Sequence, residues 1–174
     1  MNLLRIAFAV LLAFAAVACD AVDDLFTFYI EEEETIEVKS YFPVGLAPIV
    51  PIKVTTNSSE DFKNNKTQAE LVKDVTLNRL HLEITDPQTE NFNFLSKIEI
   101  YISAEGKSEV KIAYLDQIPQ NVNLIQLVST NAELDEYIKD ESYTIITRAT
   151  LARAVANDVT IKANMRFKVT ADPL

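Results

Sequence analysis

The sequence predicts an all-β fold: an antiparallel β-sandwich, Ig-like or jelly-roll-like, of about eight strands with one or two short helices. Three observations lead there. Beyond residue 25 the apolar side chains recur mostly with the two-residue period of half-buried strands. No stretch sustains the 3.6-residue period of a long amphipathic helix. The apolar runs are separated by turn-forming residues, among them Pro43, Pro48, Pro51 and Asn57-Ser58-Ser59 in the first third of the chain.

The chain opens on something other than a folded element. Residues 1–18 have the three parts of an export signal: Arg5 gives the positive start, Ile6 to Val17 the apolar stretch, and Ala16-Val17-Ala18 the small-residue cleavage site. The uninterrupted apolar length, Ile6 to Ala18, is 13 residues. As a helix it would reach roughly 20 Å against a hydrocarbon core of roughly 30 Å, so it is too short to span. Directly behind it stands Cys19, the only cysteine. Ala16-Val17-Ala18-Cys19 resembles the lipobox of bacterial lipoproteins, with Ala16 where the commonest pattern has leucine. The resemblance implies that residues 1–18 are removed and that Cys19 becomes an acylated N-terminus. The other reading is a soluble secreted protein with an incidental thiol. The absence of a second cysteine favours the anchor, because an exported chain that used a disulfide would need a pair. Two or three acyl chains would hold firmly, since each buried methylene contributes about 0.8 kcal/mol and one chain alone binds only reversibly.

Residues 19–25 form an acidic tether carrying Asp20, Asp23 and Asp24, which Coulomb attraction would not draw to anionic headgroups. An aspartate at this position resembles an inner-membrane retention signal in some Gram-negative lineages, and nearby acids resemble a surface-export signal in others. The expected location is the cell envelope, at the outer membrane, with the leaflet open. Loss of Arg5 takes the formal charge from −10 to −11. So acidic a surface is a poor partner for nucleic acid, whose affinity is built from Lys and Arg contacts to phosphates.

Residues 26–174 are expected to form a single β-sandwich domain. Phe26, Phe28, Ile30, Ile36 and Val38 share a parity that Glu32 and Glu34 interrupt, giving one long bent strand or two shorter ones. A strand is expected at Ile49 to Thr56. In Val75 to Ile84 the parity slips: Val75 and Leu77 lead, then Leu80, Leu82 and Ile84 follow, as a β-bulge near Asn78-Arg79 would arrange. Ile98, Ile100 and Ile102 pair across a hairpin with Val110, Ile112 and Tyr114, Gly106 supplying the positive φ of the loop. Strands follow at Asn121 to Val128 and Tyr143 to Leu151. Val159, Ile161, Ala163, Met165, Phe167 and Val169 then alternate without a break. Thr67 to Glu70 and Thr130 to Glu133 match the capping box, in which the threonine hydroxyl accepts from the first helical turn. Each is expected to open a short helix.

Chemistry is sparse. Two glycines in the whole chain exclude a dinucleotide fingerprint or a phosphate-cradling loop. His81, the only histidine, should face away from Leu80 and Leu82 and is read as a sheet-face residue rather than a catalytic one. With Cys19 committed to lipid, zinc lacks ligands. Calcium would need oxygens converging on one centre, whereas Glu31 and Glu33 point away from Glu32 and Glu34; the run reads better as an edge strand kept from pairing by charge. Phe92 and Phe94 are read as core filling, with an exposed binding ridge as the other possibility. No cofactor and no enzymatic activity are expected.

The mature part resembles the small β-rich lipoproteins of Gram-negative envelopes. That resemblance implies a structural or protein-interaction accessory with an envelope protein as partner and the membrane held through Cys19. The alternative is a ligand-binding lipoprotein that presents a small molecule, glycan or cation to a transporter, whose signature would be a preformed pocket between the Phe92 to Leu95 segment and the Pro43 to Pro51 loop.

Overall fold

The computed structural model describes residues 26–47 and 50–172. Cys19, the export signal and the tether lie outside them. The described chain forms two antiparallel sheets packed face to face over one apolar core.

The first sheet is built on β10 (Val159–Ala171), whose seven alternate residues from Val159 to Ala171 are all buried. On one side it pairs with β1 (Thr27–Val38), a single twelve-residue strand at the sheet edge. On the other it pairs with β4 (Val72–Asp86), followed by the short β7 (Leu124–Gln126). The second sheet runs from β9 (Ser142–Leu151) through β5 (Leu95–Ser103) and β6 (Val110–Leu115) to β8 (Val128–Ser129). The outer side of β9 is covered by β2 (Gly45–Leu46) at one end and β3 (Val50–Thr55) at the other.

The expected bulge is present. Arg79 lies opposite Arg166 and Leu77 opposite Phe167, leaving Asn78 without a partner in β10. That extra residue keeps Val75, Leu77, Leu80, Leu82 and Ile84 all buried. Gly106 sits at φ +72° in the β5–β6 loop, where Lys107 N donates to Ala104 O at 3.0 Å.

The strand expected at Asn121 to Val128 is broken at Leu127. There the chain leaves one sheet for the other: Leu127 N donates to Leu80 O at 2.9 Å, and three residues later Thr130 N donates to Ile112 O at 3.0 Å. The sandwich is thereby closed along its β7–β8 side. The opposite side, between β1 and β3, is a seam between two edge strands.

Both capping boxes are corrected. Thr67 Oγ1 donates to Asp172 O at 3.1 Å, and only a single 3-10 turn, Ala69–Leu71, follows. Thr130 Oγ1 donates to Lys111 O at 2.6 Å, and the helix α2 (Asp135–Ile138) begins later, after Leu134. Each hydroxyl joins distant segments instead of closing its own turn. Conversely, Ser58–Asn64 form helix α1 where an irregular connection was expected. About two turns of a polar helix are unstable alone; α1 is held by Phe62, 1% exposed and edge-to-face with Phe28 at 6.2 Å. Truncating so buried a phenylalanine costs about 3–5 kcal/mol.

The strand directions sort the loops to two ends. Ala171 N donates to Phe26 O at 3.2 Å, so the first and last described strands start and finish together, beside α1, the 69–71 turn and the 104–109 loop. The far end gathers the 39–47, 87–94, 116–123 and 152–158 connections. There Ser40 N and Oγ donate to Asp158 Oδ1 at 2.8 and 2.9 Å.

Candidate functional site

Three places on this frame hold polar or apolar groups that the core does not account for. The first is the far end. Phe42, Ala47, Phe94, Leu95 and Leu151 surround an apolar notch where the sequence placed a ligand pocket, but its volume is only about 30 Å³. That admits a water or two, against the roughly 300–1,000 Å³ of sites that enclose a drug-sized ligand. Phe92 and Phe94 are completely buried, their rings 6.0 Å apart and tilted by 34° as core filling, so no aromatic ridge is exposed there. The exposed apolar groups are instead on the neighbouring loop: Tyr41 at 78%, Val44 at 60% and Leu46 at 83%. The sequence signal for this patch was the proline-punctuated segment, which reads as a connection and hides the two-residue β2, a strand too short to bury Leu46.

The second place is the seam between β1 and β3. Glu32 and Glu34 occupy the inward parity of β1 between the buried Ile30 and Ile36, and both are half-buried. Burial raises the Glu32 carboxyl above the ordinary glutamate range, and the charges of Asp61 and Glu34 add to the effect. Burial likewise raises Glu34 and, with the charge of Glu60, Asp61. Below them Tyr143 is 1% exposed, and its hydroxyl has no hydrogen-bond partner. Burial first, then the charges of Glu32 and Glu34, push its phenol far up. Among the described residues no group of three or more His, Cys, Asp or Glu converges as a metal site.

The third place is the outer face of the four-stranded sheet. Glu31 and Glu33 of β1, Asn164 of β10, and Arg79 and His81 of β4 line a concavity of about 280 Å³. His81 therefore faces away from Leu80 and Leu82, as its parity requires. Register places Glu33, Asn164 and His81 in one row across the strands and Glu31, Arg166 and Arg79 in the next. Glu33 is ion-paired to Lys162 at 2.9 Å, and Arg166 Nε lies 3.7 Å from Glu31 while its guanidinium stacks on Tyr29 at 3.7 Å. Such exposed pairs contribute at most about 1 kcal/mol each. Arg79, His81 and Asn164 make no side-chain hydrogen bond or ion pair with any described residue, and Arg79 Nε is shielded from solvent. Sequence reasoning singled out His81 but not Arg79, because nothing in the linear pattern tells a paired surface arginine from an unpaired one.

Among the described residues no helix is long and apolar enough to cross a membrane. No family model matches the chain, and no curated protein matches it. Among solved structures it is similar to the decameric BFDV capsid protein, with TM-score 0.40, 6% identity, and 84% of this chain and 98% of that one covered. Turnip yellow mosaic virus gives TM-score 0.29 and 12% identity over 84% of this chain and 95% of that one. Overlaps this loose say nothing about role or assembly, and the antiparallel two-sheet architecture stands on the strand pairing itself.

Proposed function

We propose that the chain is a lipid-anchored, non-enzymatic accessory of the cell envelope, held at the outer membrane through Cys19, which docks an envelope protein through the end of the sandwich remote from its tether. The observation that carries this reading is the placement of Tyr41, Val44 and Leu46, exposed together at the end opposite Phe26. A seven-residue tether reaches at most about 25 Å, and the twelve residues of β1 extend the body by about 40 Å beyond it. The apolar tip thus stands out from the anchored surface. Exposed apolar side chains at an end that also carries the ion pairs Lys39–Asp158 and Arg153–Glu90 have the make-up of a docking surface. The net charge directs it toward a neutral or basic protein partner rather than an anionic headgroup layer.

Crosslinking in intact cells, followed by identification of the neighbours, tests this. A reproducible membrane-protein adduct is expected from the wild type. It should fall by about tenfold when Val44 and Leu46 are both changed to lysine, the scale on which central interface contacts act. Both side chains are exposed, so the melting temperature should hold. An adduct undiminished in that variant would remove the tip from the interface.

A further inference from the structure

We propose that the concave outer face of the four-stranded sheet binds a small zwitterion, its oxyanion held by Arg79, His81 and Asn164 and its ammonium turned toward Glu31 and Glu33. This goes beyond the docking end, which lies on a different part of the molecule and involves none of these residues.

The starting point is Arg79. Acidic residues outnumber basic ones 26 to 16 in this chain. Arg148, Arg153 and Arg166 each have a carboxylate within 4 Å: Glu109 at 2.8 Å, Glu90 at 2.6 Å and Glu31 at 3.7 Å. Arg79 alone among the described arginines has none. A guanidinium with a shielded, unpartnered Nε is left wanting an acceptor, and its planar fork matches a carboxylate or phosphate. The Asn78 bulge immediately precedes it, and a bulge bends the strand and redirects the adjacent side chain. Two residues along the same face, about 7 Å away, His81 brings a ring nitrogen. Asn164, paired with His81 on the next strand, brings an amide. Three donors without partners therefore converge on one concavity.

The opposite wall selects the rest of the ligand. Glu31 and Glu33 lie two strands away from Arg79 and His81, about 10 Å across the sheet. Glu33 already has Lys162 at 2.9 Å and Glu31 has Arg166 at 3.7 Å, each through its Oε1 alone. A ligand with an ammonium a few atoms from its oxyanion can share these carboxylates through their second oxygens, whereas a plain dianion on Arg79 would add charge to the acidic body without using them. A volume of about 280 Å³ lies just below the range for drug-sized ligands and leaves room for a small zwitterion. Two kinds of molecule share this chemistry, an α-amino acid and a phosphoethanolamine headgroup.

Titration calorimetry on the purified full chain with glycine, sn-glycero-3-phosphoethanolamine, inorganic phosphate and ethanolamine separates the cases. At least one zwitterion should bind at least about tenfold more tightly than phosphate or ethanolamine, a difference of about 1.4 kcal/mol. Whether glycine or sn-glycero-3-phosphoethanolamine is the tighter identifies the source of the oxyanion. Arg79→Gln should weaken that ligand at least about tenfold, the effect of removing a charged hydrogen-bond donor. Should Arg79→Gln disturb folding, Glu33→Gln decides, because Glu33 is exposed: it should narrow the preference for the zwitterion over phosphate. Absence of binding up to about 10 mM, equal binding of zwitterion and phosphate, or a preference unchanged in Glu33→Gln would each overturn the proposal.

Discussion

Glu32 is turned into an apolar seam, and at neutral pH the protein is less stable for it. Its folded-state carboxyl titrates above the ordinary value, through burial first and then the charges of Asp61 and Glu34. For a raised acid the folded form holds its proton more tightly than the unfolded one. The associated stability is complete below the ordinary glutamate range and is lost as pH rises through the elevated value. Glu32→Gln should therefore raise the melting temperature at pH 7 by a few degrees, with the advantage shrinking toward zero near pH 4, where both side chains are uncharged. Melting curves across that interval check it; a lower melting temperature in the variant at pH 7 would contradict the account. Asp158 behaves in the opposite sense, being held below its usual range by the backbone N–H and hydroxyl of Ser40 and by Lys39. Its contribution disappears as pH falls. What Glu32 and Glu34 return for their cost is protection: an inward charge on an edge strand discourages another chain from adding to it.

At the scale of elements, β4 shows how far a linear pattern can be read. Its parity slip located the bulge because only one extra residue puts both halves of the apolar set on the core side. Asn78 is that residue, so its deletion should leave Val75, Leu77, Leu80, Leu82 and Ile84 in phase and the chain folded, while Arg79 loses the kink that directs it. Circular dichroism should keep the β signature and calorimetry should lose the zwitterion; a chain unfolded by the deletion would mean that the kink itself supports the core. The long strands were legible for the same reason, since a half-buried strand writes its burial into alternate residues. The helices were not. The hydroxyls of Thr67 and Thr130 bind carbonyls far along the chain, and α1 depends on Phe62 meeting Phe28, so tertiary contacts override the local signals in all three cases. The two-residue strand β2 and the sheet switch at Leu127 are equally invisible, being decided by which neighbour is within reach. The far-end pocket that the ligand-binding alternative would need is only a notch of about 30 Å³, because sequence names the side chains around a gap without saying how closely they close on it.

For the whole molecule, the described core is self-contained: every buried apolar residue from Ile30 to Ala171 belongs to one cluster. Cys19→Ala is therefore expected to leave the melting temperature unchanged while moving the protein from the membrane to the soluble fraction, the gain from two or more acyl chains being lost at about 0.8 kcal/mol per methylene. Recovery of the variant with membranes at wild-type level would mean that something other than the thiol retains it. The juxtaposition of Phe26 and Ala171 has a practical corollary for labelling. The last described strand finishes beside the point where the chain enters the domain, so a fluorescent reporter fused directly behind Asp172 would crowd that base. A short epitope inserted among residues 116–123 would ride on the crown, where an antibody could reach it.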